Sequence, residues 1–425
     1  MNHSMGYDLL TGCTGLLGGY LMREALRSGR RVAVLVRPTK THSARQRVDQ
    51  LLARFGLEAS PTILEGDLRR PHFGLSTSDL EWVASHCDRL VHSGAVVSFE
   101  VDHHSEPYAT NVDGTRYALE LCRRTGLRAF HFVSTAYVCG QGDQPFGEDD
   151  FEVGQQFSNA YERSKFLAEL LIRQADFLDQ RVIYRPSVIV GDSATGYTSA
   201  YHGVYVPMRF AWAQGLGTEA TLAALGMQPD ETFNLVPVDW VARIFWRLAE
   251  VTGPGLAVYH LTHSEPVSLG ALMEAVGAAP PNPVKVEPGA QDSLRTYAPY
   301  FRQHRPFLAE RTRQAAPELP CPPLDEQVLA RLARFAAENH FGQLPGLGLE
   351  VAEPDGETTW VTPPGETHAF CNRATLERLV SGDLSLESAL YAGRLVLEAR
   401  PDQLSSATLS LQHLLGSLGH QEVGA

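Results

Sequence analysis

The chain has 425 residues, 44% of them hydrophobic and 20% charged, enough for one large or two ordinary domains with a real core; a disordered tail or a disulfide-stapled miniprotein is excluded. Lys and Arg number 36 against 49 Asp and Glu, a formal charge of −13, so no broad electrostatic footprint for nucleic acid or an anionic membrane is expected and any phosphate must be held locally. Six scattered cysteines without a CxxC pair fit reduced thiols in a cytoplasmic protein, and no apolar run approaches the roughly 18 residues of an integral membrane span.

In chain order, short β-branched runs alternate with longer helical patterns, which predicts βαβ units and a doubly wound, parallel α/β sheet of the Rossmann type. The predicted strands are Tyr7 to Leu10, Arg31 to Val36, Thr62 to Leu64, Arg89 to His92, Ala129 to Val133 and Arg181 to Tyr184. Between them, apolar residues at helical spacing predict helices over Leu16 to Arg27, Gln46 to Phe55, Asp79 to His86, Tyr108 to Arg124 and Ala160 to Ala175. Ser78 with Glu81 reads as a capping box ahead of the third helix.

The first strand runs into Thr11-Gly12-Cys13-Thr14-Gly15-Leu16-Leu17-Gly18, a GxxGxxG turn that opens a helix. About 0.3 such triplets are expected by chance in a chain of this glycine content, so the placement between strand and helix carries the reading. Glycines there let backbone approach a pyrophosphate, whose charge meets the unpaired N–H groups of the helix start. A turn that merely packs helix on strand is the plainer alternative. The second strand ends in Val36-Arg37-Pro38, with Arg45 and Arg47 following and no carboxylate at the position that would accept from a ribose hydroxyl. A guanidinium there suits a 2′-phosphate, which favours NADP(H) over NAD(H).

Tyr161 and Lys165 stand four residues apart in a helical segment and so share one face. The chain has 14 tyrosines but only three lysines, Lys40, Lys165 and Lys285, so about 0.1 chance pairs of this spacing are expected. A phenol becomes a useful proton donor to a carbonyl oxygen when a nearby ammonium pulls its pKa down. Upstream, the fifth strand ends in Val133-Ser134-Thr135-Ala136-Tyr137, and a hydroxyl at the C-terminal end of a parallel strand points into the ligand crevice of such folds. Of the two hydroxyls, Thr135 is the better candidate.

With these motifs in order, the sequence resembles the extended short-chain dehydrogenase/reductases, matched at Gly12, Gly15, Gly18, Thr135, Tyr161 and Lys165. The wording His92-Ser93-Gly94-Ala95-Val96-Val97 and Asn234-Leu235-Val236-Pro237-Val238-Asp239 looks most like the thioester-reductase and fatty-acyl-reductase branch. The resemblance implies cofactor contacts for Asp67 and Leu68 beside the adenine, for Ser93, Gly94 and Ala95, and for Asn111. It also implies that Arg185-Pro186-Ser187 and Val188 close over the nicotinamide. Hydride would pass to a carbonyl carbon while Tyr161 protonates the oxygen, Lys165 holds the ribose and lowers the phenol's pKa, and Thr135 orients the oxygen.

The dinucleotide domain is expected over residues 1–265, with substrate-domain insertions from about 191, the rest of a smaller substrate domain over 266–345, and a C-terminal α+β appendage over 346–425. Tyr197, Tyr201, Tyr205, Phe210 and Trp212 crowd a short span and are candidates to line an apolar pocket for a lipophilic substrate. Residues 280–325 read as an irregular excursion, Gln327 to Asn339 as a helix, and Gly342 to Gly348 as a linker. In the appendage, a helix over Arg373 to Val380, a strand over Leu395 to Ala399 and an apolar face of Leu404, Thr408, Leu411, Leu415 and Leu418 resemble the end of a sterol-carrier-like domain. A lipid-binding lid and a packing or homodimer-forming appendage are the two readings. His103, His104 and Glu106, like His260 and His263, lack the spacing of a third ligand, so no metal is expected.

The leading function is an NADP(H)-dependent reductase of a ketone, then an aldehyde, on a lipophilic small molecule of specialised metabolism. A thioester reductase ranks below it because no adenylation or carrier segment is seen in the chain. A nucleotide-sugar epimerase or dehydratase would prefer NAD, against Arg37. A dinucleotide-sensing regulator without turnover would not need Tyr161 and Lys165.

Overall fold

Six parallel strands form where β-branched runs predict them. They are β1 (Tyr7–Thr11), β2 (Val32–Val36), β3 (Thr62–Glu65), β4 (Cys87–His92), β5 (Ala129–Val133) and β6 (Gln180–Pro186). A seventh, Gly255–Leu261, joins β6 from far downstream, and the sheet order is Gly255–Leu261, β6, β5, β4, β1, β2, β3, with every neighbour parallel. This is a Rossmann-type α/β fold. The computed structural model describes residues 6–39, 42–102, 105–214, 222–223, 226–279, 305–339, 341, 347–354, 357–362, 367–381, 384, 386–391, 394–398 and 411.

Both faces of the sheet are covered, which is why β2 is apolar throughout instead of alternating with polar residues. In β2, Val32, Val34 and Val36 pack into the layer built by α1 (Leu16–Arg27), α2 (Ala44–Arg54) and the helix Val238–Val251. Ala33 and Leu35 pack into the opposite layer, with α3 (Thr77–His86), α4 (Gly114–Thr125) and α5 (Ala160–Arg173). The capping box of α3 is Ser76 with Asp79, not Ser78 with Glu81: Ser76 is extended and accepts from the Asp79 N–H, so the helix starts two residues earlier than its apolar pattern suggests. α4 is entered through a π-helical turn, Ala109–Asp113, and ends on left-handed Gly126.

Contacts divide the chain into two units, Met1–Ala279 with Glu287–Phe335, and Pro280–Val286 with Ala336–Ala425. Within the stretch read as irregular, Glu310–Ala315 is a helix and Phe307 bridges to Phe146; a longer helix covers Glu326–Glu338. The second unit carries a four-stranded mixed sheet in the order Thr358–Thr362, Leu347–Ala352, Thr367–Asn372, Leu395–Glu398. Leu349, Val351, Ala369, Cys371 and Leu395 pack there on Leu376 and Leu379 of the helix Arg373–Val380. Three of its strands were not read from the sequence. Of the predicted terminal helical face, all but buried Leu411 lies outside the described residues, as do His103 and His104. No described helix is long and apolar enough to cross a membrane.

Candidate active site

The C-terminal ends of the strands open onto a cavity of about 690 Å³, the place where folds of this type bind ligands. The positions singled out for cofactor or chemistry line it, with Arg45, Asn111 and Arg185 as exceptions.

At one end lies the glycine turn. Gly12 has φ of +78°, and a Cβ there would fall 2.6 Å from the Gly94 backbone; a Cβ on Gly18 would fall 2.0 Å from the Gly12 carbonyl oxygen. Gly15 differs. A Cβ there would meet nothing of the chain nearer than 3.4 Å, so internal packing does not demand glycine, and the missing side chain leaves room on the cavity side. Gly15 is also the N-cap of α1, without a capping side chain and with no acid in the first turn. Helix starts leave N–H groups unpaired, so Thr14, Leu16 and Leu17 form, around Gly15 whose own N–H donates to the Gly12 carbonyl at 3.0 Å, a cradle that fits a pyrophosphate.

Beyond the turn, Arg37 at the end of β2 is more than half exposed and stands 3.4 Å from Asp67. Arg47 donates to the Arg37 carbonyl at 2.5 Å. Asp67 also accepts from the Arg69 backbone and guanidinium. Burial alone would raise its carboxyl, but the Arg69 bonds, with Arg37 behind them, hold it down at about 2. Two guanidiniums therefore flank one carboxylate, and Arg47 stands on the same cavity wall, a local excess of positive charge on a chain of net negative charge. Leu68 closes on Gly94, whose N–H donates to Thr11 Oγ1 at 3.1 Å, and Ser93 and Ala95 flank it on the cavity wall.

Asn111, expected to touch the cofactor, is buried behind the wall instead. Its carboxamide accepts from Val96 N–H and donates to the Val96 carbonyl, both at 2.9 Å, and to Ser164 Oγ at 2.8 Å. With all three bonds spent on the chain, it ties the loop after β4 to α5.

At the other end stand Tyr161 and Lys165, placed in the first turns of α5 by the Asn159 cap on Glu162 N–H. Lys165 Nζ donates to the Val133 carbonyl at 2.7 Å and lies 4.0 Å from the centre of the Phe132 ring. Burial pulls this amine down to about 7, with Glu169 opposing the fall. The spacing predicted a depressed phenol, but burial, and after it the charge of Glu162, raises Tyr161. Lys165 is bonded to Val133, and desolvation dominates at the phenol. Thr135 Oγ1 accepts from Tyr137 N–H at 3.3 Å and reaches the Pro186 carbonyl at 3.4 Å, while Ser134 Oγ is committed to Glu169 at 3.0 Å.

Two expectations at this end need correction. Arg185 does not reach the cavity: it is fully buried against Glu169 at 2.6 Å, because the strand alternates and the residues from Pro186 to Ile189 take the ligand side. The aromatic run does not line the cavity either. Tyr205 is core, its hydroxyl accepting from Gly191 N–H at 3.0 Å; Tyr197 packs on Tyr20 and Phe335; Phe210 and Trp212 are buried. Small and polar residues, Ser199, Ala200, His202 and Gly203, line the wall there. His260 and His263 are spent on the Leu308 and Pro322 carbonyls. Ser187, expected at the nicotinamide, lines the wall, and its buried Oγ has no hydrogen-bond partner; sequence reasoning missed Glu169, for which an acid at the 161–165–169 spacing, on the helix face of Tyr161 and Lys165, was the available signal.

Residues 10–245 match the family model described as male sterility protein. Among curated relatives, the large subunit of L-2-aminoadipate reductase from Penicillium chrysogenum is 31% identical over 284 residues, covering 60% of this chain and 19% of that protein. The nonribosomal peptide synthetase asaC from Aspergillus flavus is 29% identical over 302 residues, 67% of this chain and 27% of that one. The matches thus span only a small part of these relatives' length. Among solved structures, the terminal R domain from the myxalamid PKS-NRPS biosynthetic pathway aligns with a TM-score of 0.67 at 24% identity, over 80% of this chain and 92% of that one. A UDP-galactose 4-epimerase aligns with 0.53 at 16%, over 78% and 99%. These two likenesses are of fold.

Proposed function

The chain belongs to the male sterility protein family, within the extended short-chain dehydrogenase/reductases, and from that premise we propose that it reduces a carrier-bound acyl thioester with NADPH. It is a nicotinamide-dependent oxidoreductase. The observation that carries the finer reading is the continuous cavity that joins a pyrophosphate cradle to Tyr161, Lys165 and Thr135. The thioester is favoured over the ketone by the named relatives, an aminoadipate reductase and a nonribosomal peptide synthetase, and by the loss of the aromatic lining that argued for a lipophilic pocket. NADPH is favoured over NADH by Arg37 at the end of β2 and Arg47 on α2.

A bound nicotinamide dinucleotide supplies the hydride. Thr135 Oγ1, released from its long bond to Pro186, donates to the acyl oxygen and turns the carbonyl carbon toward the hydride donor. Tyr161 protonates that oxygen as negative charge develops on it, and Lys165, as an ammonium, stabilises the phenolate left behind. The resulting hemithioacetal collapses with loss of the carrier thiol, so thioester, NADPH and a proton give aldehyde, thiol and NADP⁺. General acid help of this kind is worth roughly 10²–10⁴-fold.

The test is a purified-protein assay with NADPH against an acyl-pantetheine thioester, a matched aldehyde and a panel of ketones, with aldehyde trapped as product. Thioester-dependent NADPH consumption with aldehyde release is expected. Turnover of ketones alone would return the reading to carbonyl reduction.

A further inference from the structure

Glu169 has no part in the mechanism above, yet three site-bearing segments meet on it. It lies on α5, one turn beyond Lys165, with a fully buried side chain. Its Oε2 accepts from Ser134 Oγ, the residue before Thr135, at 3.0 Å, and from Arg185 Nε at 3.2 Å. Its Oε1 accepts from Arg185 Nη2 at 2.6 Å and from Arg173 at 2.8 and 3.0 Å. Arg185 in turn immediately precedes Pro186 and Ser187 of the cavity wall, and its Nη1 donates to His260 Nε2 at 3.2 Å. One carboxylate thus ties the helix of Tyr161 and Lys165 to the end of β5 and to the end of β6.

The surroundings of Lys165 give this carboxylate a second task. From its own helix Lys165 faces Tyr161 and Glu169; β5 offers the Val133 carbonyl and the Phe132 ring; from β4, neutral His92 lies buried close by. Arg185 and Arg173 reach the region through Glu169. Glu169 is the anion whose charge favours the ammonium form of Lys165. Desolvating a carboxylate and a guanidinium is a poor route to stability, since well-packed apolar residues serve as well, so such a pair at the junction of three site segments points to geometry and charge.

We infer that Glu169 is a positioning residue, fixing α5 against the ends of β5 and β6 and keeping Lys165 charged for the proton transfer at Tyr161. The inference rests on the Tyr161–Lys165 pairing proposed above. Its primary readout needs neither substrate nor cofactor, so failure of that reading and failure of this one are separable.

With only three lysines in the chain, protein labelled with isotope at the lysine side chains gives three amine titrations, and Lys165→Met assigns the relevant one. In Glu169→Gln the Lys165 midpoint should fall by at least half a pH unit. In turnover assays kcat should drop tenfold or more, the NADPH Kd should stay within threefold, and the basic limb of the rate profile should move down with the midpoint. Glu169→Asp, which keeps the charge on a shorter arm, should restore the midpoint but not the full kcat. If Glu169→Gln does not fold, Glu169→Gln with Arg185→Gln removes the carboxylate together with a guanidinium paired to it, and a smaller fall of the Lys165 midpoint in the same direction is expected, since the lost cation offsets part of the lost anion. A Lys165 midpoint unmoved in the folded variant overturns the inference, whether or not kcat has dropped, because a merely structural ion pair would leave the lysine alone.

Discussion

The two ends of the cavity are built by different rules. At the glycine end, the cavity wall is main chain: Gly12 and Gly18 are forced by close approach and φ, and Gly15 leaves room at a helix start, so the residue types themselves announce the candidate site. At the β6 end, side chains and their burial decide, and the wall is assembled from Pro186, Ser187 and the 199–203 segment, whose residue types announce nothing. A binding surface made of main chain leaves a motif in the sequence, whereas one made by the folding-back of a distant loop does not.

The comparison breaks most visibly at Tyr161. Tyr161→Phe should lower kcat by roughly 10²–10⁴-fold or more while the NADPH Kd, read by fluorescence titration, stays within a few-fold. Loss of NADPH binding instead would make Tyr161 part of the cradle. The wild-type rate should also depend on pH at this end alone. Burial lowers the Lys165 amine to about 7, so the ammonium is present below that pH and lost as pH rises through it. Turnover at saturating NADPH should fall along that limb, with NADPH affinity flat across it.

Gly15→Ala sharpens the contrast from the other side. Its Cβ clears the chain at 3.4 Å, so the variant should melt close to wild type, yet it fills the cradle and should weaken NADPH binding by about tenfold, some 1.4 kcal/mol. Gly18→Ala, with its Cβ at 2.0 Å from the Gly12 carbonyl oxygen, should instead lower the melting temperature, a difference thermal denaturation reads directly. Arg37→Asp should shift the ratio of kcat/KM for NADPH over NADH toward NADH, and an unchanged ratio would remove Arg37 from cofactor choice. The smallest effect is expected at Tyr205→Phe. It loses the hydrogen bond from Gly191 N–H, so stability should fall by about 1 kcal/mol with no change in acyl-chain preference.

The sheet, the glycine turn and the Tyr161–Lys165 pair were legible in the sequence because each is local. A β-branched run, a strand–turn–helix junction and an i, i+4 spacing are complete within a dozen residues. What went astray depended on distant partners. Asn111 was read as a cofactor contact and is spent on Val96 and Ser164; Arg185 was read as part of the wall and is paired with Glu169; of the aromatics offered as candidate lining, Tyr205, Phe210 and Trp212 are buried and none lines the cavity.

Local chemistry therefore settled the fold class of the first 190 residues and the family to which the chain belongs, since backbone spacing and residue type need no tertiary partner to be read. Tertiary structure alone decided which polar groups face the cavity and which are used up behind it. Whether a side chain is free for a ligand depends on what lies opposite it, and at Glu169 and Arg185 the opposing groups come from strands and helices that only the folded sheet brings together.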